Sequence, residues 1–258
     1  MEAFFNHKAK HFQNSFTKNI EKYKNIVVDG KFLIIIACHL DSELKINAIK
    51  NNYLLLKKQN ADFVIVYSKK QSFNSRLSLL ECEFENTTFL EIENDKYYDF
   101  GKWSYALQNT SYSEYNQIIF TNDSFFISND ISSFFNAAFK QNVDLFAYTS
   151  SNEYIYHYQT FLFSIKPSAI PTFLHFVSDY KKKHNIKNLL TTMEIKLYYI
   201  FANNACLLDL GRLDINNNKN IFFHNKKLYK ILFDANILPF VKLKMLIPTQ
   251  KHIYHGFR

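Results

Sequence analysis

The chain has 258 residues, of which 47% are hydrophobic and 21% charged, with only 4 Gly and 4 Pro. That length can bury a sizeable core, and the composition excludes a disordered, collagen-like or turn-dense all-β chain. Lys and Arg total 31 against 23 Asp and Glu, a formal charge of +8 that suits either phosphate-bearing partners or a lysine-coated surface.

The elements follow in chain order. Residues 8–24 read as a polar, basic helix. Phe32 to Cys38 is a continuous apolar, β-branched run, the pattern of a strand covered on both faces. After His39-Leu40-Asp41-Ser42-Glu43 come Ile46, Ile49, Tyr53 and Leu56, spaced three and four apart as on an amphipathic helix. Phe63–Tyr67 and Thr87–Ile92 read as strands, and Phe100 to about Gln108 as a helix. A strand over Gln117–Thr121 leads into Asn122-Asp123-Ser124. Ile131–Phe139 is helical, and Asp144–Thr149 and Gln159–Ile165 are strands. Pro167 opens a helix at its favoured first-turn position. Ile186–Phe201 is a longer helix carrying Glu194, and Ala205–Leu210 is a strand. Near the end, Leu228, Ile231, Leu232 and Ala235 stand at helical spacing.

Strands alternating with helices predict an α/β fold with a mostly parallel central sheet, in which ligands sit beyond the carboxyl ends of the strands. That rule selects His39–Glu43, the segment around Asp99, and Asn122–Ser124. In the third, an apolar strand delivers a carboxylate flanked by short polar side chains, as a hard divalent cation on a diphosphate requires. The plain alternative is a turn in which Asp123 caps the next segment. Around Asp99, Tyr97-Tyr98-Asp99-Phe100-Gly101-Lys102-Trp103 offers a carboxylate to a ribose or sugar and an ammonium to a phosphate, or simply a helix cap with Trp103 in the core. His157 and Gln159 are polar groups at a strand mouth. Glu194, preceded by hydroxyls near a helix start, is a general base or part of a cap.

Other familiar signals are missing from the sequence. It has no glycine-rich dinucleotide fingerprint, phosphate loop, zinc spacing or nucleophile elbow. Nucleic-acid binding rests on charge alone and is not expected. The three cysteines, Cys38, Cys82 and Cys206, are scattered, which fits a reducing compartment. Residues 1–7 lack signal-peptide grammar, and no apolar run is long enough to span a bilayer, so a cytoplasmic protein is expected.

Taken in order, these segments resemble the rhamnan synthesis protein F family of bacterial polysaccharide glycosyltransferases. The resemblance rests on Ile35–Asp41, Asp62–Ser68, Tyr98–Trp103, Tyr115–Ser124, Asp144–Tyr148, His157–Phe163 and Glu194, and covers roughly residues 30–212. It implies a GT-A-like nucleotide-sugar-binding domain over 30–212, with a helical extension over 1–29 and a basic one over 213–258. It implies Mn²⁺ or Mg²⁺ held by Asp123, and Glu194 as the base of an inverting transfer. His39, Asp41, Asp99, Lys102, Asn122, His157 and Gln159 would line the nucleotide-sugar and acceptor sites. The implied partners are a nucleoside-diphosphate sugar and a glycan or lipid-linked glycan acceptor, for capsule, O-antigen or rhamnan-type polysaccharide. The sequence departs from the family pattern at Tyr98, where a glycine is usual, and at Thr160 and Leu162. His255-Gly256-Phe257-Arg258 is similar to the ending of some retaining transferases, in which the histidine completes a metal site.

A different reading is a non-catalytic basic scaffold at the membrane surface. Its support is the lysines of Lys226–Lys244 around apolar residues; for the enzyme too, residues 222–258 are expected to reach anionic lipid at the inner face of the cytoplasmic membrane. Alternatively, the apolar helix face packs on the sheet.

Overall fold

The computed structural model describes Tyr23 and residues 30–69, 80–93, 98–179, 193–208 and 226–246. The helix expected over 8–24, apart from Tyr23, lies outside the described residues, as do 186–192, 213–225 and the His255–Arg258 ending.

β1 (Phe32–Leu40) is followed by α1 (Glu43–Leu56) and β2 (Ala61–Lys69). Next come β3 (Thr87–Glu91), α2 (Tyr98–Asn109) and β4 (Gln117–Asn122). A short β5 (Phe125–Ile127) leads to α3 (Ser132–Gln141) and β6 (Leu145–Ala147). The two-residue strands β7 (Ser150–Ser151) and β8 (His157–Tyr158) precede β9 (Leu162–Ile165). α4 (Ile170–Ser178) and α5 (Ile195–Phe201) follow, then β10 (Ala205–Leu207). The last described elements are α6 (Lys226–Asp234), β11 (Phe240–Lys242) and α7 (Leu243–Leu246).

The seven-stranded sheet runs β10-β6-β9-β4-β1-β2-β3. Every neighbouring pair is parallel except those of β9, which is antiparallel to both β4 and β6. This is the expected α/β class, with a mostly parallel central sheet flanked by helices. β1 shows why its run is apolar throughout. Phe32, Ile34, Ile36 and Cys38 belong to one core cluster, and Leu33, Ile35 and Ala37 to the other. A strand covered on both faces has no solvent side to make polar.

The first cluster packs β1 against Ile46, Ile49, Tyr53 and Leu56 of α1, Phe134 and Phe135 of α3, and Leu232 of α6. The second takes Phe100 and Trp103 of α2, Phe173 of α4 and Leu197 of α5. Its centre is aromatic: the Phe120 ring lies 4.9 Å from that of Phe163, 5.3 Å from that of Phe173 and 5.8 Å from that of Trp103. Such pairs add to the stabilisation that burial gives.

Two expectations change. The strand expected over 159–165 occupies Leu162–Ile165 only. The Phe161 carbonyl accepts the Thr121 hydroxyl at 2.9 Å instead of joining the sheet ladder, and residues 159–161 turn away. The second change concerns the segment read as a membrane-facing extension. Tyr229, Leu232, Ile237, Leu238 and Phe240 are buried in the first cluster, and β11 pairs with β5. Leu232 of α6 is therefore buried in the core with Ala235 packed against it, while Lys226 and Lys230 are exposed. Among the described residues, no helix is long and apolar enough to cross a membrane.

Candidate active site

The chain passes from β1 to β2 and β3 on one side, then crosses back to β4 on the other side of β1. Side chains at the carboxyl ends of β1 and β4 therefore border a crevice. A cleft of about 220 Å³ opens at the end of β4 and over the turn before β9. Asp99 from α2, Asn122 and Ser124 from the end of β4, and Gln159, Thr160 and Phe161 from the turn line it. Glu194, at the start of α5, and Lys242 and Lys244 close the remaining side.

Asp99 stands in the first turn of α2 and accepts the Asn122 Nδ2 hydrogen bond at 2.9 Å. The Asn122 side-chain oxygen Oδ1 accepts from the Ser124 amide at 3.1 Å and the Ser124 hydroxyl at 2.6 Å. Tyr98, just before Asp99, has φ 49°, in the left-handed region that costs a residue with a Cβ about 1–2 kcal/mol. That backbone angle is the physical reason a glycine suits this position.

Asp123 faces the other way. Its side chain is 4% exposed, and its Oδ2 accepts the His39 backbone amide at 2.5 Å and lies 4.0 Å from the Lys45 ammonium. Burial pushes its carboxyl up to about 6, against the opposing pull of Lys45 and the His39 amide. β4 ends at Asn122, and in the turn that follows, closed by the Ser124 amide on Asn122 Oδ1, Asn122 and Ser124 line the cleft while Asp123 does not. Among the described residues, no group of three or more His, Cys, Asp or Glu is placed to hold a metal ion. Asp123, the residue expected to hold Mn²⁺ or Mg²⁺, is engaged by the His39 amide and does not line the cleft.

His39 and Lys102 come together beneath the cleft. Lys102 Nζ lies 3.0 Å from His39 Nε2, and Ser68 Oγ lies 3.3 Å from Nδ1. An ammonium can only donate, so Nε2 accepts and Nδ1–H donates to Ser68. Lys102, expected near the sugar or diphosphate, is fully buried and does not line the cleft. Asp41 does not join them: it pairs with Lys45 one helical turn on, at 3.2 Å, with its side chain 40% exposed.

Glu194 is the chemical centre of the far wall. Its Oε1 accepts the Thr160 hydroxyl, and its Oε2 lies 3.8 Å from His157 Nε2. His157 Nδ1–H donates to the Ile155 carbonyl at 2.8 Å, which turns Nε2 toward the glutamate. Burial raises the proton affinity of Glu194, moderated by the Thr160 hydroxyl and His157. Gln159, beside it, has a buried Oε1 that meets no hydrogen-bond donor.

Sequence reasoning missed Lys242 and Lys244 as cleft residues and read them as lipid contacts. Lys242 Nζ donates to Ser124 Oγ at 3.2 Å and stands 4.7 Å from the centre of the Phe161 ring and 5.2 Å from that of Phe125. Burial pulls its ammonium down to about 8, with Glu194 and Asp99 opposing. The available signal was Leu238-Pro239-Phe240-Val241, an apolar run that ends in this lysine as a strand would.

No family model and no curated protein matches the chain. Among solved structures, a 4-diphosphocytidyl-2C-methyl-D-erythritol synthase from Anaerococcus prevotii aligns at 11% identity and a TM-score of 0.47, covering 69% of this chain and 89% of that one. The glycosyltransferase GlyE from Streptococcus pneumoniae aligns at 11% identity and a TM-score of 0.46, covering 69% of this chain but 45% of its own. An active-site variant of LgtC aligns at 7% identity and a TM-score of 0.43, covering 67% and 72%. At these identities and scores, none assigns an activity to this chain.

Proposed function

We propose that the chain is a glycosyltransferase that moves a sugar from a nucleoside-diphosphate sugar to a hydroxyl of a glycan or lipid-linked glycan, in the assembly of bacterial surface polysaccharide. One observation carries the reading. In a single cleft at the carboxyl end of the sheet, a carboxylate with raised proton affinity stands beside an amide oxygen that lacks a donor. A base and an unanswered acceptor suit a polyhydroxyl substrate, whose hydroxyls supply both the proton and the donor.

In the reaction, the acceptor oxygen bonds to the anomeric carbon as the bond from that carbon to the diphosphate oxygen breaks. The diphosphate leaves with the electron pair, and Glu194 takes the hydroxyl proton. A single displacement of this kind inverts the anomeric configuration. Thr160 and His157 hold the Glu194 carboxylate in place. Gln159 and the Asp99–Asn122 pair orient sugar hydroxyls through charge-assisted and neutral hydrogen bonds.

The test is a panel of UDP-, dTDP- and GDP-sugars, with release of nucleoside diphosphate measured with and without glycan acceptors. Release of nucleoside diphosphate that depends on Glu194 is expected. If no member of the panel is bound or turned over, the reading fails.

A further inference from the structure

A diphosphate leaving group carries charge that some cation must meet, and Asp123, the residue expected to hold a metal, does not line the cleft. The residues of the β4 end that face the cleft, Asn122 and Ser124, are both neutral, and the acid between them is turned behind the strand. Opposite them stand two lysines.

We propose that Lys242 and Lys244 form the phosphate-binding half of the cleft and meet the charge of the donor's diphosphate with ammonium groups in place of a divalent cation. The identity of the ligand rests on the glycosyltransferase reading above; the anion site itself does not.

Three features carry the inference. First, Lys242 is built in from the backbone outward. It pairs with Phe125 in the β11–β5 register, and the next residue, Leu243, donates its amide to the Ser124 carbonyl at 3.0 Å. Its ammonium bonds Ser124 Oγ at 3.2 Å and rests against the faces of Phe161 and Phe125. A cation held by rings and a hydroxyl needs little reorganisation when an anion arrives.

Second, Lys244 lines the same cleft from two residues further on, so two positive groups approach one volume. Third, the two ammoniums offset the cleft's two carboxylates. The charged side chains lining the cleft are Asp99 and Glu194 against Lys242 and Lys244. Two against two is neutral with both acids ionised, and once Glu194 holds the acceptor's proton the balance is positive. Lysine is a compact point charge that suits phosphate oxygens.

The experiment is calorimetric titration of the full chain with inorganic pyrophosphate and with UDP, in EDTA and again with Mn²⁺. The expected result is binding in EDTA, weakened about 10- to 100-fold in Lys242→Met and by a smaller factor in Lys244→Gln, with Lys242→Arg closer to the parent. Lys244 is exposed, so its variant reports on the site even if the Lys242 variant does not fold. Binding that vanishes in EDTA and returns with Mn²⁺ overturns the inference, as does a Lys244→Gln chain that binds pyrophosphate like the parent. If sugar transfer is found but needs metal, the anion-site inference fails and the transferase reading stands. If pyrophosphate binds without metal but no sugar nucleotide is used, the transferase reading fails and the anion site stands.

Discussion

Asp123→Asn separates a buried structural carboxylate from a metal ligand by the sign of its effect. The folded chain raises this carboxyl from 3.8 to about 6, chiefly through burial. A gap of about 2 at about 1.4 kcal/mol each corresponds to about 3 kcal/mol. The folded state holds the proton more tightly than the unfolded state. The parent is therefore most stable, in this respect, below 3.8, and loses that contribution as pH rises through about 6. Asparagine stays neutral throughout, and its carbonyl can still accept the His39 amide that Asp123 accepts at 2.5 Å. Urea denaturation at pH 8 should then show the variant more stable than the parent by about 1–3 kcal/mol; loss of the Lys45 attraction sets the lower end. The advantage should shrink toward zero by about pH 4. Because the side chain points away from the cleft, UDP binding should survive. A variant that is less stable at pH 8, or a difference that does not change with pH, would refute the argument. Loss of UDP binding in a folded variant would return Asp123 to the ligand site.

Glu194→Gln keeps the shape and removes the base, so transfer should fall about a hundredfold or more while donor affinity holds, measured as kcat against KM. Tyr98→Gly should raise stability by about 1 kcal/mol, seen as a higher urea midpoint, because φ 49° suits a residue without a Cβ. Tyr148→Phe removes the buried hydroxyl that donates to the Ile237 carbonyl at 2.9 Å, and should cost about 1–2 kcal/mol in the same assay. Unchanged stability there would mean that this hydroxyl adds nothing to the hold on the 226–246 segment.

The sheet was legible because its strands are covered on both faces: Phe32–Cys38 and Phe63–Tyr67 could be little else, and the helix spacing of Ile46, Ile49, Tyr53 and Leu56 is local. Glu194, Asn122, Asp99, Gln159 and His157 were legible as a group, and the fold brings the first four to the cleft with His157 behind Glu194. Asp123 was misplaced because the turn after β4 and the bond to the His39 amide set its facing, and residue type reveals neither. Asp41 was misplaced because a short-range pair with Lys45 claims it. Lys102 is buried beside His39 and does not line the cleft. Lys242 of β11 was illegible for a different reason. Its partners, Ser124, Phe125 and Phe161, lie about a hundred residues away, and helical spacing in α6 suggests an amphipathic surface whether the apolar side meets lipid or a core.

The pairing of β11 with β5 also sets an order of events during synthesis. Ser124 and Lys242 are separated by 118 positions, so the cleft's second wall does not exist until almost the whole described chain has left the ribosome. Until then Phe125, Tyr148 and Phe161 lack the Phe240 ring that later sits 4.7–5.2 Å from each of them. A nascent chain stalled before residue 226 would leave uncovered the apolar side chains that Leu232, Ile237, Leu238 and Phe240 later pack against, and would lack Lys242 and Lys244 of the cleft. Closing so long a loop is slow compared with forming helices and neighbouring strands. Competence for substrate should therefore arrive late and in one step, which makes these uncovered side chains the place where a chaperone would engage the growing chain.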